Sequence, residues 1–79
     1  MNIIIYTADW CIYCDNAKRL LNKRELEYKE INIEKKGWGR GKLFELTGGR
    51  TVPQIVIDEK PIGGYEDLLK LDTGGKLKI

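Results

Sequence analysis

The stretch Cys11-Ile12-Tyr13-Cys14 follows a short apolar run at residues 2–6 and opens a helical pattern over residues 12–23. Its two cysteines are the only ones in the chain. Because two residues separate them, both thiols can share one helical turn and close a reversible disulfide. Free backbone N–H groups at a helix start favour a thiolate on the first cysteine, and such positions lower a cysteine pKa to roughly 3.5–7.5. The motif therefore predicts redox chemistry.

Outward from this motif, the hydrophobic pattern predicts four strands and three helices. The strands are expected at residues 2–6, 27–33, 54–58 and from 61 onward, with a turn at Glu59-Lys60. The helices are expected at 12–23, from about 42 to 48, and from 63–64 through 71, the first with Ile12, Ala17, Leu20 and Leu21 on one face. The order β-α-β-α-β-β-α predicts an α/β, thioredoxin-like fold: a four-stranded mixed sheet with helices on both faces, in one domain spanning residues 1–79.

The amino-acid composition argues against several classes of function. The chain has 79 residues, of which 14 are basic and 12 acidic, and a net charge of +2 gives no basic footprint for nucleic acid or an anionic membrane. The absence of histidine excludes His-based acid–base catalysis and His-ligated metal sites. No window approaches the ~18 apolar residues of a membrane span, and residues 1–6 lack a basic leader segment. We expect a cytoplasmic monomer without nucleic-acid or membrane partners.

Four landmarks in the right order resemble the glutaredoxins, the small glutathione-dependent members of the thioredoxin superfamily. They are Tyr6-Thr7, the CxYC motif at residues 11–14, Thr51-Val52-Pro53, and Gly63-Gly64-Tyr65-Glu66-Asp67-Leu68. Their spacing and the overall length also match, so the resemblance covers essentially the whole chain. It implies a glutathione-dependent thiol–disulfide oxidoreductase that reduces protein disulfides and glutathione mixed disulfides through a Cys11/Cys14 dithiol.

The resemblance assigns roles around the motif. Cys11 would be the nucleophile and Cys14 the less exposed resolving thiol, since exchange needs one thiol that attacks and one that waits. Tyr13 would cover the active thiol, although it could be an ordinary exposed aromatic residue. Pro53 would be a cis-proline facing the motif and would present the backbone groups of Val52 to glutathione. The alternative is a proline that merely starts an edge strand.

The Gly64–Asp67 turn, together with Thr51, is the expected glutathione site. By resemblance, the α-carboxylate of the γ-glutamyl end would meet the N–H groups near Tyr65 and Glu66 at a helix N-terminus. The α-amino group would pair with Asp67. Glu66 and Asp67 could equally be helix-capping residues, because acidic side chains favour the first turn of a helix in any case.

Four positions depart from the family pattern, and one basic residue could compensate. Ala8 stands where relatives often carry a lysine for the glycyl carboxylate of glutathione, and Asp9 follows it. Arg40 is expected to bind that carboxylate instead, unless it is only a solvated charge. Ile12 replaces a common proline, which restores a backbone N–H. Trp10 could shield the thiol, contact a protein partner or simply pack in its loop.

Two alternative functions remain open from the sequence. One is a redoxin reduced by thioredoxin reductase that donates electrons to ribonucleotide reductase. The other is a [2Fe–2S] carrier glutaredoxin, although a second nearby cysteine competes by forming a disulfide. Two cysteines without histidine fall short of the four ligands of a structural zinc site. We therefore expect glutathione as co-substrate, no metal, and disulfide-bearing or glutathionylated proteins as partners.

Overall fold

The computed structural model describes residues 1–77, and these follow the predicted order β-α-β-α-β-β-α. The strands are β1 (Ile3–Thr7), β2 (Lys29–Asn32), β3 (Gln54–Ile57) and β4 (Lys60–Gly63). The helices are α1 (Ile12–Lys23), α2 (Arg40–Thr47) and α3 (Tyr65–Thr73). In this part of the chain, no helix has both the length and the apolar character needed to cross a membrane.

The sheet is four-stranded and mixed, with strand order β2-β1-β3-β4. β1 pairs in parallel with β2 and antiparallel with β3, and β3 pairs antiparallel with β4. A parallel neighbour requires a crossover connection, which α1 provides. β1 is an inner strand that ends at Thr7, and α1 begins at Ile12. Cys11, in the short loop between them, therefore lies at the carboxyl end of β1.

Helices cover both faces of the sheet, as predicted. Side chains alternate along a strand, so Ile3 and Ile5 of β1 join one core cluster and Tyr6 joins another. The first core cluster lies under α1 and α3 and consists of Ile3, Ile5, Ala17, Leu21, Leu26, Ile55, Leu68 and Leu77. The second core cluster lies under α2 and consists of Tyr6, Ile33, Leu43 and Val56.

Two predicted boundaries are corrected. The second strand is confined to Lys29–Asn32, because its pairing with β1 runs only from Ile4 opposite Lys29 to Thr7 opposite Asn32. Helix α2 begins at Arg40 rather than near residue 42. The glycines do not delay it, since Gly39 occupies the N-cap, where glycine is accepted. At the other end, Gly48 stops the helix in the left-handed conformation with φ 80°.

The hairpin turn is also corrected, from Glu59-Lys60 to Asp58-Glu59. Ile57 pairs with Lys60, so only two residues join β3 to β4. Both have positive φ, 50° at Asp58 and 69° at Glu59, which is the requirement of a two-residue turn that matches strand twist. The carboxylate of Asp58 accepts a 2.8 Å hydrogen bond from the N–H of Asn2, which ties the turn to the start of the chain.

Candidate active site

Cys11 and Cys14 are joined as a disulfide at the start of α1. Cys11 is the N-cap residue, and its Sγ accepts a 3.1 Å hydrogen bond from the backbone N–H of Cys14. Cys11 is half-buried, whereas Cys14 is only 1% exposed. In the reduced protein, the same N–H group favours a thiolate on Cys11. An external sulfur can therefore reach Cys11 but not Cys14.

The two residues between the cysteines face solvent. Ile12 is 69% exposed, so its predicted place on the apolar face of α1 is wrong. The buried residues of that face are Cys14, Ala17 and Leu21, which follow the helical spacing of three and four residues, and the predicted Leu20 packs beside them, half-buried. Tyr13 is 59% exposed, and its ring centroid lies 6.3 Å from that of Tyr65 at the start of α3. The two tyrosines thus connect the motif to the third helix.

The segment Thr51-Val52-Pro53 lies beside the disulfide. The Val52–Pro53 peptide bond is cis, as the resemblance implied. The carbonyl oxygen of Val52 lies 3.8 Å from the Sγ of Cys11. Pro53 is buried, Val52 is half-buried and Thr51 is exposed. The backbone at residue 52 is therefore close enough to contact any chain that is covalently attached to Cys11.

The N-terminus of α3 forms the far wall of the same region. The carboxylate of Asp67 accepts a 3.0 Å hydrogen bond from the N–H of Gly64, which is a capping contact. Gly63 has a φ of 113°, and a side chain there would overlap the Asp67 carboxylate, so this turn needs glycine. The first-turn N–H groups of Tyr65 and Glu66 lie beyond this cap and provide positive electrostatic potential for an anion.

One cavity of about 840 Å³ brings these segments together. Of the predicted site residues, it is lined by Tyr13, Thr51, Val52, Pro53, Gly64, Tyr65, Glu66 and Asp67. Sequence reasoning missed further lining residues, namely Thr47, Gly48, Gly49, Gln54, Pro61, Ile62 and Gly63. Cys11, Cys14 and Arg40 do not line this cavity. Cys11 lies beside it, with its Sγ 3.8 Å from the carbonyl oxygen of Val52. Arg40 begins α2, and its Nη1 donates a 3.3 Å hydrogen bond to the carbonyl of Arg50. A polar residue at the start of a buried strand was the one signal that could have identified Gln54.

The loop before Cys11 is held by side chains at the end of β2 and just after it. The backbone N–H of Asp9 donates to the Glu34 carboxylate at 2.6 Å, and the Asn32 amide donates to the Asp9 carboxylate at 2.9 Å. Trp10 adopts a left-handed backbone with φ 57°, and its side chain is fully exposed. The shielding and packed-loop interpretations of Trp10 are therefore wrong. Ala8 packs against the second core cluster.

A polar network lies behind α1. The buried hydroxyl of Thr7 donates to the Glu30 carboxylate at 2.7 Å, and Lys18 of α1 donates to the same oxygen at 3.1 Å. Burial alone would raise the pKa of Glu30, but these hydrogen bonds outweigh it and hold the pKa below its ordinary value. Burial would lower the pKa of Lys18, but the hydrogen bond and charge of Glu30 raise it instead. The network fastens α1 to the edge of the sheet.

The geometry suits disulfide exchange at Cys11. A thiolate there can attack an incoming disulfide, and the substrate chain can lie in the cavity between residues 51–53 and the start of α3. Cys14 lies within bonding distance of Cys11, so it can close the intramolecular disulfide and release the substrate thiol. The arrangement supports electron transfer between two thiols of this chain and an external disulfide.

Comparisons with known proteins agree with this chemistry. The family model described as Glutaredoxin matches residues 3–62. A Pseudomonas aeruginosa protein named glutaredoxin is 43% identical over 75 residues, covering 95% of this chain and 89% of that protein. Glutaredoxin 3 of Escherichia coli K12 is 41% identical over 76 residues, covering 96% and 92%.

Solved structures share the fold as well. The crystal structure of a buckwheat glutaredoxin–glutathione complex matches with a TM-score of 0.84 at 28% identity, covering 95% of this chain and 71% of that chain. The solution structure of a glutaredoxin from Brucella melitensis matches with a TM-score of 0.81 at 38% identity, covering 98% and 84%. The chain therefore belongs to the glutaredoxin family of thiol–disulfide oxidoreductases, with Cys11 and Cys14 as its dithiol.

Proposed function

We propose that this protein is a glutathione-dependent oxidoreductase that reduces protein disulfides and glutathione mixed disulfides, with Cys11 as nucleophile and Cys14 as resolving thiol. The observation that carries the proposal is the cavity beside Cys11, which joins the backbone at Val52 to the N-terminus of α3. A tripeptide attached to Cys11 through its own sulfur can occupy that cavity. The related buckwheat structure is itself a complex with glutathione.

Each part of glutathione has a partner of suitable chemistry in this cavity. The cysteinyl backbone would pair with the backbone groups of Val52, as an added strand pairs with a sheet edge. The γ-glutamyl carboxylate would bind the N–H groups of Tyr65 and Glu66, because a helix N-terminus favours anions. The α-amino group would pair with the carboxylate of Asp67.

The proposed reaction proceeds by successive thiol–disulfide exchanges. The Cys11 thiolate attacks one sulfur of the client disulfide, forms a mixed disulfide and releases a client thiolate. Cys14 then attacks the Cys11 sulfur, releases the second client thiolate and leaves the Cys11–Cys14 disulfide. One glutathione thiolate reopens that disulfide by bonding to Cys11. A second glutathione removes the first as glutathione disulfide, which restores the dithiol.

A thioredoxin-reductase-linked redoxin that serves ribonucleotide reductase is the second candidate. The observation that favours it is the loop before Cys11, where Ala8 provides no cation and Trp10 is fully exposed. A fully exposed tryptophan beside the nucleophile offers a contact surface to a protein reductant. Ala8 also leaves Arg40 as the cation proposed for the glycyl carboxylate. Arg40 lies outside the cavity, so its role would require movement of its side chain.

Steady-state reduction of a glutathionylated peptide separates the two candidates. The assay is coupled either to glutathione with its reductase or to NADPH with thioredoxin reductase, and we expect turnover with glutathione. Turnover with thioredoxin reductase alone would overturn the proposal.

A charge variant sharpens this assay. Asp67→Asn keeps an acceptor for the Gly64 N–H group but removes the charge that would pair with the α-amino group of glutathione. We expect about a five- to tenfold increase in KM for glutathione. The melting temperature should fall by only a few degrees, because the first turn of α3 loses one negative charge. Asp15→Asn is the matched control, because Asp15 is exposed on α1 and does not line the cavity. An unchanged KM in Asp67→Asn would leave Asp67 with the capping role alone.

A further inference from the structure

Gln54 is a buried polar residue that the reaction scheme above does not use. It is the first residue of β3, and only 6% of its surface is exposed. Its side-chain Nε2 donates a 2.9 Å hydrogen bond to the carbonyl of Thr51, and the Thr51 hydroxyl lies 3.4 Å from the same nitrogen. The side chain therefore reaches back across Pro53 and fastens the residue that precedes Val52.

This hydrogen bond sets the direction of one peptide group. The carbonyl of Thr51 and the N–H of Val52 belong to the same planar trans peptide, so they point in opposite directions. When the Gln54 amide holds the carbonyl on its own side, the Val52 N–H points away from it. Within residues 1–77, the N–H of Val52 has no hydrogen-bond partner, and Val52 lines the cavity beside Cys11.

The Gln54 amide packs directly against the backbone of Gly49. A Cβ at Gly49 would overlap the Cδ, Nε2 and Oε1 atoms of Gln54. The φ of Gly49 is not in the left-handed region, so a larger residue here would act by displacing the Gln54 amide rather than by straining the backbone. The end of α2 and the Gln54 side chain are thus fitted to each other.

From these contacts we propose that Gln54 is a positioning residue, which acts through the Thr51–Val52 peptide to keep the Val52 N–H directed toward the substrate backbone. The proposal rests on the proposed function, because the substrate chain is the glutathionyl group that would pair with Val52. Gln54 itself lines the cavity, but this role acts through the Thr51–Val52 peptide and not through a contact with the reacting sulfurs. Gly49 supports the same peptide by leaving room for the amide.

The test uses two variants that remove this positioning by different means. Gln54→Met keeps the length of the side chain but removes the donor, and Gly49→Ala displaces the amide without changing it. We expect each to raise the KM for a glutathionylated peptide about five- to tenfold, the effect of one lost hydrogen bond, with kcat within twofold of wild type. Gly41→Ala is the control, because its added Cβ meets no atom within 4 Å.

Alkylation of reduced Cys11 by iodoacetamide distinguishes positioning from a general structural role. This small reagent does not pair with Val52, so we expect its rate to be the same in both variants as in wild type. Wild-type KM in both variants would overturn the role of Gln54. A change in alkylation rate that matches the change in KM would also overturn it, because the damage would then lie at the thiol. If wild-type protein shows no turnover with glutathione, the proposed function is overturned. The pairing of the Val52 N–H with a glutathionyl backbone is then overturned as well.

Discussion

The two faces of the sheet are built differently. Under α1 and α3, eight buried side chains form the first core cluster, whereas only four form the second core cluster under α2. The first face is also fastened by a bidentate ion pair, in which Arg24 donates to the Asp72 carboxylate at 2.6 and 3.1 Å. Helix α2, on the other face, ends at Gly48 in the left-handed conformation, and its N-cap Gly39 makes no side-chain hydrogen bond.

The two halves of the site are therefore supported by cores of different size. The dithiol sits on α1, the helix with the thicker core beneath it. The segment 51–53, which faces the Cys11 sulfur, follows α2 and its thinner core. We therefore expect thiol chemistry to withstand changes that weaken substrate binding.

The largest expected effect is at the dithiol itself. Cys11→Ser should abolish all thiol exchange, because no other sulfur can start the reaction. Cys14→Ser should lose reduction of protein disulfides but keep measurable deglutathionylation, since glutathione can resolve the mixed disulfide in its place. Both activities are measured by steady-state assays on the two substrate classes. Retained activity in Cys11→Ser, or loss of both activities in Cys14→Ser, would contradict these roles.

A pair of core truncations tests the unequal support directly. Leu21 and Leu43 are both fully buried, one in each core cluster. We expect Leu21→Ala to lower the free energy of unfolding by about 3–5 kcal/mol and Leu43→Ala by about 2–3 kcal/mol, because a smaller cluster surrounds the second cavity. Denaturant unfolding measures both values. Equal losses, or a larger loss in Leu43→Ala, would remove the contrast between the two faces.

Restoring a cation before Cys11 should improve glutathione binding by a smaller factor. Ala8→Lys places a positive charge at the position where the family resemblance predicts a lysine for the glycyl carboxylate. We expect about a two- to fivefold decrease in KM for glutathione, the size of an exposed ion pair. The effect should shrink at high salt, because exposed charges are screened. Asp15→Asn, which makes the same one-unit change in net charge away from the cavity, is the control. A KM that stays unchanged at low salt would refute a carboxylate site near residue 8.

The smallest expected effect is the pH dependence of the network behind α1. The folded pKa of Glu30 is lowered, so its contribution to stability is present above its ordinary value of about 4.5 and is lost as the pH falls through the folded pKa. The pKa of Lys18 is raised, so its contribution is lost only above about pH 10.5. Glu30→Gln should lower the melting temperature at pH 7 by a few degrees at most.

A second carboxylate also contributes to the loss of stability at acid pH, so a second variant is needed to separate the two. The pKa of Asp72 is also lowered, first by the hydrogen bond from Arg24, so it adds its own loss of stability below about pH 3.8. Thermal unfolding is followed from pH 7 to pH 3. In Asp72→Asn, the melting temperature should still fall with pH, because Glu30 still becomes protonated over this range. If Glu30→Gln leaves the acid slope unchanged, the network does not stabilise α1.

Much of the fold followed from local patterns in the sequence. The bounds of α1 were predicted as the structure has them, because the cysteine motif and the apolar face mark the helix clearly. The turn Asp58-Glu59 was missed, since neither residue is the glycine or asparagine that usually signals positive φ. The early start of α2 was missed because Gly39 and Gly41 resemble a loop, although glycine is accepted at the N-cap.

The residues of the candidate site were also predicted only in part. Residues 51–53 and 64–67 were predicted from motif resemblance, and one cavity brings them together. For Gln54 the sequence offers only a polar residue at the start of a buried strand, because its importance depends on a contact with Thr51 that only the folded turn creates. Arg40 was predicted from charge and position, but sequence could not show that its guanidinium turns to the Arg50 carbonyl instead.

The most direct test of the central claim is the amide NMR spectrum of Cys14→Ser before and after glutathione is attached to Cys11. The claim is that the cavity between residues 51–53 and the start of α3 binds the tripeptide. It predicts that the amide signals of Val52, Tyr65 and Glu66 shift on attachment. Shifts confined to residues 8–14 would show a tripeptide that is tethered but not bound, and would contradict the account.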